Sequence, residues 1–343
     1  MPVTVQIEDR VKKTAGAAPP AELGDYVEPS ERGEGMKAVL IWLLSIVVVS
    51  AVLAIWEGTR PFGIGVFVWW LLSVLGYFIV APYMVLRRLR AHGAEYEITA
   101  KKYPRLKTLL SKGSSMLGVS EPEAFLASEG VSQVRLMGRK DPYFLVITQA
   151  TCELLQGPEL DCLTLRALVH ARQGHGARLM LLQFLSDTPY AVRLLVWPVA
   201  LYGYLLRFFW LDIAEKTADR LALLLIKNHK LLTSALLKQH VATDPIMQAN
   251  NITAHDVDNF VRQEGNIGMA GAEISTQYKM GSAIHENPYL EDRLQAITNW
   301  AKSPDFADAL KRLDETKAGK TPTGTFSNAD VANAPGTSGA TKA

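Results

Sequence analysis

Thr164-Leu165-Arg166-Ala167-Leu168-Val169-His170-Ala171-Arg172-Gln173-Gly174-His175 is the stretch from which this chain is best read outward. With Leu160 and Leu163 before it and Leu179 and Leu182 after it, apolar residues recur every three to four positions. That is the period of an amphipathic helix with one buried face. The spacing therefore predicts one helix with Gly174-His175 near its middle.

A zinc-peptidase helix of the H-E-x-x-H kind carries two His four apart, so that both imidazoles reach one metal from one face. A Glu beside the first His serves as general base. Aligned on Gly174-His175, the stretch resembles without a gap the metal-binding helix of the HtpX and CAAX-prenyl-endopeptidase family of membrane zinc metallopeptidases. Leu165, Ala167, Leu168, Val169, Gly174 and His175 match that pattern. The position of the first metal His holds Ala171, and that of the catalytic Glu holds Arg172. The resemblance implies a degenerate member, with the scaffold kept and the chemistry lost at two adjacent positions.

Downstream, Glu215-Lys216-Thr217-Ala218-Asp219-Arg220-Leu221-Ala222 resembles the family's third-ligand segment, with Glu215 as ligand and Asp219 one turn later as an orienting partner for His175. Four apart, these carboxylates share a helical face. The expected remnant pocket is thus His170, Ala171, Arg172, His175, Glu215 and Asp219. His170 is a poor substitute ligand, because residues five apart on a regular helix point about 140° away from each other and only a π-bulge would bring them together. If zinc were held at all, His175, Glu215 and His170 are the ligands to expect. Arg172 has no accessible neutral form with which to act as a base. An ion pair between Arg172 and Glu215 is expected in place of the metal, since an unpaired buried carboxylate is costly.

The chain has 343 residues and a formal net charge of +2, near balance and without the footprint of a nucleic-acid-binding protein. Cys152 and Cys162 are too few for a disulfide framework and read as reduced, buried small residues. Residues 1–35 lack periodicity and read as a disordered arm. Two long apolar runs, Lys37 to Trp56 and Phe62 to Leu86, read as a transmembrane hairpin over 36–90. The link carries only Arg60, whereas Arg87, Arg88 and Arg90 follow the second run. The positive-inside rule then puts both chain ends and the large domain in the cytosol, at the inner membrane if the source is bacterial.

A peptidase-like domain is expected over 91–313. It comprises a helix within Glu95 to Ser120 and short strands at Ala124 to Leu126, Gln133 to Met137 and Tyr143 to Thr148. Active relatives carry an Asn-Ala-Phe motif on the sheet edge beside the substrate cleft, and it is missing here. The run 178–211 reads as a helical hairpin that dips into or lies against the membrane and returns, because His175 and Glu215 have to end on one side to share a site; a full extra crossing is the alternative. Glu215 to Val241 reads as one long helix. His285-Glu286-Asn287-Pro288-Tyr289-Leu290-Glu291-Asp292-Arg293-Leu294 resembles the family's closing segment, whose helix packs near the active site; His285 reads as structural. The tail 314–343 reads as disordered.

The fold class expected is a mainly α membrane protein with a zincin-like helical domain and a small β-sheet. The function expected is a pseudopeptidase without cofactor, which binds a polypeptide or a membrane-protease partner at the bilayer. Alternatives are an active zinc endopeptidase in membrane protein quality control using a rearranged site, and a structural membrane subunit.

Overall fold

A helix-start signal, a helix-stop signal and one close approach decide where the central helix lies. The computed structural model describes residues 26–28, 30–55, 63–77, 83, 97–127, 133–138, 143–155, 157–263 and 288–317. Pro104 opens helix α3 (Pro104–Leu117), after α1 (Ser30–Ile55) and α2 (Gly63–Tyr77). Proline suits a first turn because its missing N–H is one that no helical carbonyl would receive. Gly118 ends α3 at φ 62°, the left-handed conformation that lacks a Cβ penalty only for glycine. Gly113 lets α3 approach closely, since a Cβ there would lie 2.7 Å from Leu168 Cδ1 on the next long helix.

Strands β1 (Glu123–Ala127), β2 (Val134–Met137) and β3 (Phe144–Thr148) form a sheet in the order β1-β3-β2. β1 is parallel to β3, with Phe125 opposite Val146, and β2 is antiparallel to it, with Arg135 opposite Val146. Helices α4 (Gln149–Leu154) and α5 (Gly157–Arg172) follow. α5 is the centre of the molecule: Cys162, Leu163, Leu165, Leu168 and Val169 are all at most 2% exposed. Burial of that kind is worth about 2 kcal/mol per large aliphatic side chain. α5 packs on α3, on β2, and on α9 (Leu211–Ile226) and α10 (His229–Thr243).

Between α5 and α9 come α6 (Gly176–Asp187), α7 (Tyr190–Leu195) and α8 (Trp197–Phe209). α8 packs on both α1 and α6 around Ala38, Leu181, Leu185, Val199, Ala200 and Leu206. Trp42 Nε1–H donates to the Pro198 carbonyl at 2.7 Å, and the Trp42 ring lies 5.4 Å from Trp70 of α2 and 4.9 Å from Tyr202 of α8. The opposite faces are apolar and uncovered: Leu44 is 63%, Val52 62%, Leu72 59% and Phe208 80% exposed. Among the described residues α1 is the one helix long and apolar enough to cross a membrane. Its 24-residue apolar stretch extends about 36 Å against a hydrocarbon core of about 30 Å.

Helices α11 (Pro245–Ala249), α12 (Ala254–Gln263), α13 (Pro288–Lys302) and α14 (Pro304–Lys317) complete the described chain. A buried lysine ties α12 to α10: Lys238 is 1% exposed and bridges Glu159 at 2.8 Å and Asp258 at 2.7 Å.

Three expectations change. The arm expected over 1–35 overlaps ordered structure, because α1 begins at Ser30 and residues 26–28 dock on α9: Glu28 N–H donates to Thr217 Oγ1 at 3.3 Å and its carboxylate meets Arg220 at 2.5 Å. The single helix expected over Glu215 to Val241 is two, because Lys227 turns left-handed at φ 58° and Asn228 caps α10 by accepting the Leu231 N–H at 3.1 Å. The tail expected from 314 overlaps α14, which runs to Lys317. Cys162 is buried and Cys152 half-buried, both unbridged. The link at Arg60, the arginines at 87, 88 and 90, and His285 lie outside the described residues.

Candidate functional site

The stretch that opened the reading is not one helix. α5 stops at Arg172, Gly174 takes φ 71°, and α6 starts at Gly176. The Gly174 N–H donates to the Ala171 carbonyl and the His175 N–H to the His170 carbonyl, both at 3.0 Å. This is the Schellman arrangement, which satisfies the last carbonyls of a helix while reversing its path. Gly176 then packs backbone to backbone on the end of β2, where a Cβ would run into the Gly138 carbonyl oxygen.

The turn removes the objection to His170. A separation of about 140° holds only on a continuous helix; here His170 lies in the last turn of one helix and His175 caps the next. Their Nδ1 atoms lie 2.9 Å apart, one donating to the other. Both residues are 3% exposed. His175 also directs Nε2 at Glu31 Oε1, 2.6 Å away on the first turn of α1, and sets its ring edge-on to Trp210 at 5.2 Å. The Arg178 guanidinium covers that same indole at 4.9 Å, in space left by Gly35.

Glu215 and Asp219 do share one face of α9, and the cations that meet them are Arg166 and Arg293. Arg166 forms an ion pair with Glu215 and donates from Nε to Asp219 Oδ1 at 2.6 Å. Arg293, from the first turns of α13, donates to both oxygens of Asp219 at 2.9 and 3.0 Å and lies 3.4 Å from Glu215. These charges are interior: the side chains of Arg293 and Asp219 are 4% and 2% exposed. Burial would raise the Glu215 carboxyl, but the two guanidiniums hold it well below the usual carboxylate range. Burial, then the charge of Arg166, pushes His170 well below the usual imidazole range, so it is neutral.

The expected pair of Arg172 with Glu215 is not formed. Arg166 and His170 are four apart and share a face of α5, whereas Arg172 lies about 200° further round from His170. It is half-buried at the helix end. The expected bond from His175 to Asp219 is not formed either, since both Asp219 oxygens accept from guanidiniums and His175 is held by Glu31. Ala171 is buried and supplies no ligand atom.

The side chains present do not fit a zinc ion in this arrangement. A zinc site needs three or four deprotonated donors converging at about 2.0–2.2 Å. Here the two His Nδ1 atoms are hydrogen-bonded to each other, and Glu215 faces the other nitrogen of His170, Nε2, at 3.8 Å with guanidiniums against its oxygens. Among the described residues no three His, Cys, Asp or Glu side chains converge as a metal site.

Beside the network lies a cavity of about 330 Å³, between β2 on one side and α6 and α8 on the other, with Arg166, His170 and Glu215 at its base. β2 is paired on one side only among the described residues. The Thr148 N–H donates to the Gln133 carbonyl, so Gln133 and Thr148 form a hydrogen-bonded pair of the ladder. Alternation then turns the N–H and C=O of Val134 and Leu136 away from β3.

Sequence reasoning named His170, His175, Glu215 and Asp219, and the structure brings all four together. It missed Arg166, Arg293 and Glu31. An Arg set among the apolar positions of a helix, as Arg166 is between Leu165 and Ala167, is a signal that an acidic partner must exist, and Arg293 stands in the closing segment expected near the site. Glu31 had no such signal, since a Glu before an apolar run is ordinarily solvated.

No family model matches the chain, and no solved structure does. Among curated proteins it is similar to the plastoglobule-localized metallopeptidase 48 of Arabidopsis thaliana chloroplasts, 27% identical over 231 residues. That match covers 65% of this chain and 64% of the relative's length. The chain therefore stands in a distant, peptidase-like relationship to a metallopeptidase.

Proposed function

We propose that this is a membrane-anchored, zincin-like pseudopeptidase of the HtpX kind, held in the bilayer by α1 with its helical domain on the cytosolic side, which binds a polypeptide without cutting it. The observation that carries the reading is the pair of guanidiniums, half-buried Arg166 and buried Arg293, on Glu215 and Asp219 where a peptidase would place its metal-binding carboxylate. A divalent cation entering here would meet two fixed positive charges in a poorly screened interior. Hydrolysis also needs a base for the attacking water, and the base position holds Arg172. The edge of β2 supports polypeptide binding, because outward N–H and C=O groups can take up an extended segment as an added strand.

The test is zinc content by elemental analysis of the detergent-purified full chain, with casein cleavage measured beside it. The expected result is no bound zinc and no cleavage. Restoring the motif with Ala171→His and Arg172→Glu is expected to leave zinc content low, since Arg166 and Arg293 still hold Glu215. About one zinc per chain in the natural protein, with cleavage abolished by a chelator, overturns the proposal. It would favour a rearranged site built on the adjoining His170 and His175.

A further inference from the structure

The cavity along β2 carries more positive than negative charge, and one of its cations has no carboxylate partner among the described residues. Its lining includes the guanidiniums of Arg135, Arg166 and Arg207 against the single carboxylate of Glu215. Arg166 is neutralised within the buried network. Arg207 differs: it stands exposed in the last turn of α8, and among the described residues no carboxylate pairs with it. Beside it run the outward backbone groups of Val134 and Leu136, with Gln133 and Gln183 as neutral polar neighbours and Leu179 and Leu182 as an apolar wall. A cleft with strand-pairing groups on one side and an exposed guanidinium on the other suits an extended segment whose side chain or terminus is a carboxylate.

We infer that this cleft selects acidic polypeptide segments and that Arg207 is the specificity-determining residue. The inference rests on the polypeptide-binding reading above and adds the charge of the occupant. Backbone pairing to β2 is indifferent to side chains, so discrimination comes from the guanidinium, which binds a carboxylate and repels an ammonium.

The experiment is fluorescence anisotropy with the full chain in a neutral detergent. The probes are labelled, N-acetylated short peptides of one sequence carrying Glu, Gln or Lys at the central position with an amidated C-terminus. A fourth probe carries Gln and a free C-terminal carboxylate. A charge-assisted bond predicts that the Glu peptide binds about tenfold more tightly than the Gln peptide, with the difference shrinking in high salt. The Lys peptide is expected to be the weakest. The fourth probe tells the source of the carboxylate: binding as tight as the Glu peptide assigns it to a chain terminus as well as to a side chain. Arg207→Glu is expected to reverse the order of the Glu and Lys peptides, and because Arg207 is exposed the thermal midpoint should be unchanged.

Equal binding of the Glu, Gln and Lys peptides, unaltered by Arg207→Glu, overturns this inference while leaving a peptide-binding cleft in place. No binding of any peptide overturns both.

Discussion

Replacing Arg166 with Met removes the guanidinium that Glu215 and Asp219 share. Asp219 keeps its two bonds to Arg293, but Glu215 is left with Arg293 at 3.4 Å and a neutral His170 at 3.8 Å. Breaking a buried pair by deleting one partner costs about 3–5 kcal/mol, because the remaining charge stays desolvated. The low end, about 3 kcal/mol, is expected here, since Arg293 compensates in part. Removing both partners with Arg166→Met and Glu215→Leu leaves no orphaned charge and keeps the Asp219 to Arg293 pair. Exchanging a buried ion pair for apolar groups of similar volume is close to neutral. The double variant should therefore be more stable than Arg166→Met alone by about 2 kcal/mol. The assay is urea unfolding in a mild detergent followed by tryptophan fluorescence, with a full double-mutant cycle. The reasoning is refuted if the two single costs simply add, for then Arg166 and Glu215 are not coupled and the network is not the substitute for a metal.

The remaining predictions concern titration and packing. Burial, and then the charge of Arg293, push His240 down to about 4, whereas in the unfolded chain it titrates near 6.5. A depressed histidine adds stability that is complete above about pH 6.5 and is lost as pH falls towards 4. The unfolding midpoint should accordingly drop across that window, and His240→Gln should flatten the drop between about pH 6.5 and 5, before carboxylates titrate. In Gly176→Ala the new Cβ meets the rigid Gly138 carbonyl at the end of β2, and overpacking against backbone costs about 2–3 kcal/mol. Thermal unfolding should show a clear loss there and a small gain, about 0.5–1 kcal/mol, for Gly33→Ala within α1, where a Cβ meets nothing within 4 Å.

Much of the site was legible because a local pattern carried it. The apolar period marked α5, the spacing of Glu215 and Asp219 put them on one face, and the alternation of strands gave a small sheet between helices. These properties depend on residues three, four or two apart, which is the range over which backbone geometry alone relates side chains.

What the sequence could not supply lies in how those pieces meet. Whether Gly174 continues a helix or caps one depends on whether α6 has a surface to turn onto, and that surface is the Gly138 carbonyl at the end of β2. Once the turn is made, His170 and His175 touch although helical geometry sets them apart. The choice of Arg166 over Arg172 as the partner of Glu215 follows from the same event, because the rotation of α5 against α9 is set by packing over its whole length. By itself the sequence determined the short strands, the shared faces of α5 and α9, and the apolar α1. Only the tertiary structure decided which charges pair, since a buried guanidinium takes whichever carboxylates lie within reach, and Arg166, Arg293 and Glu31 reach the site from three parts of the chain.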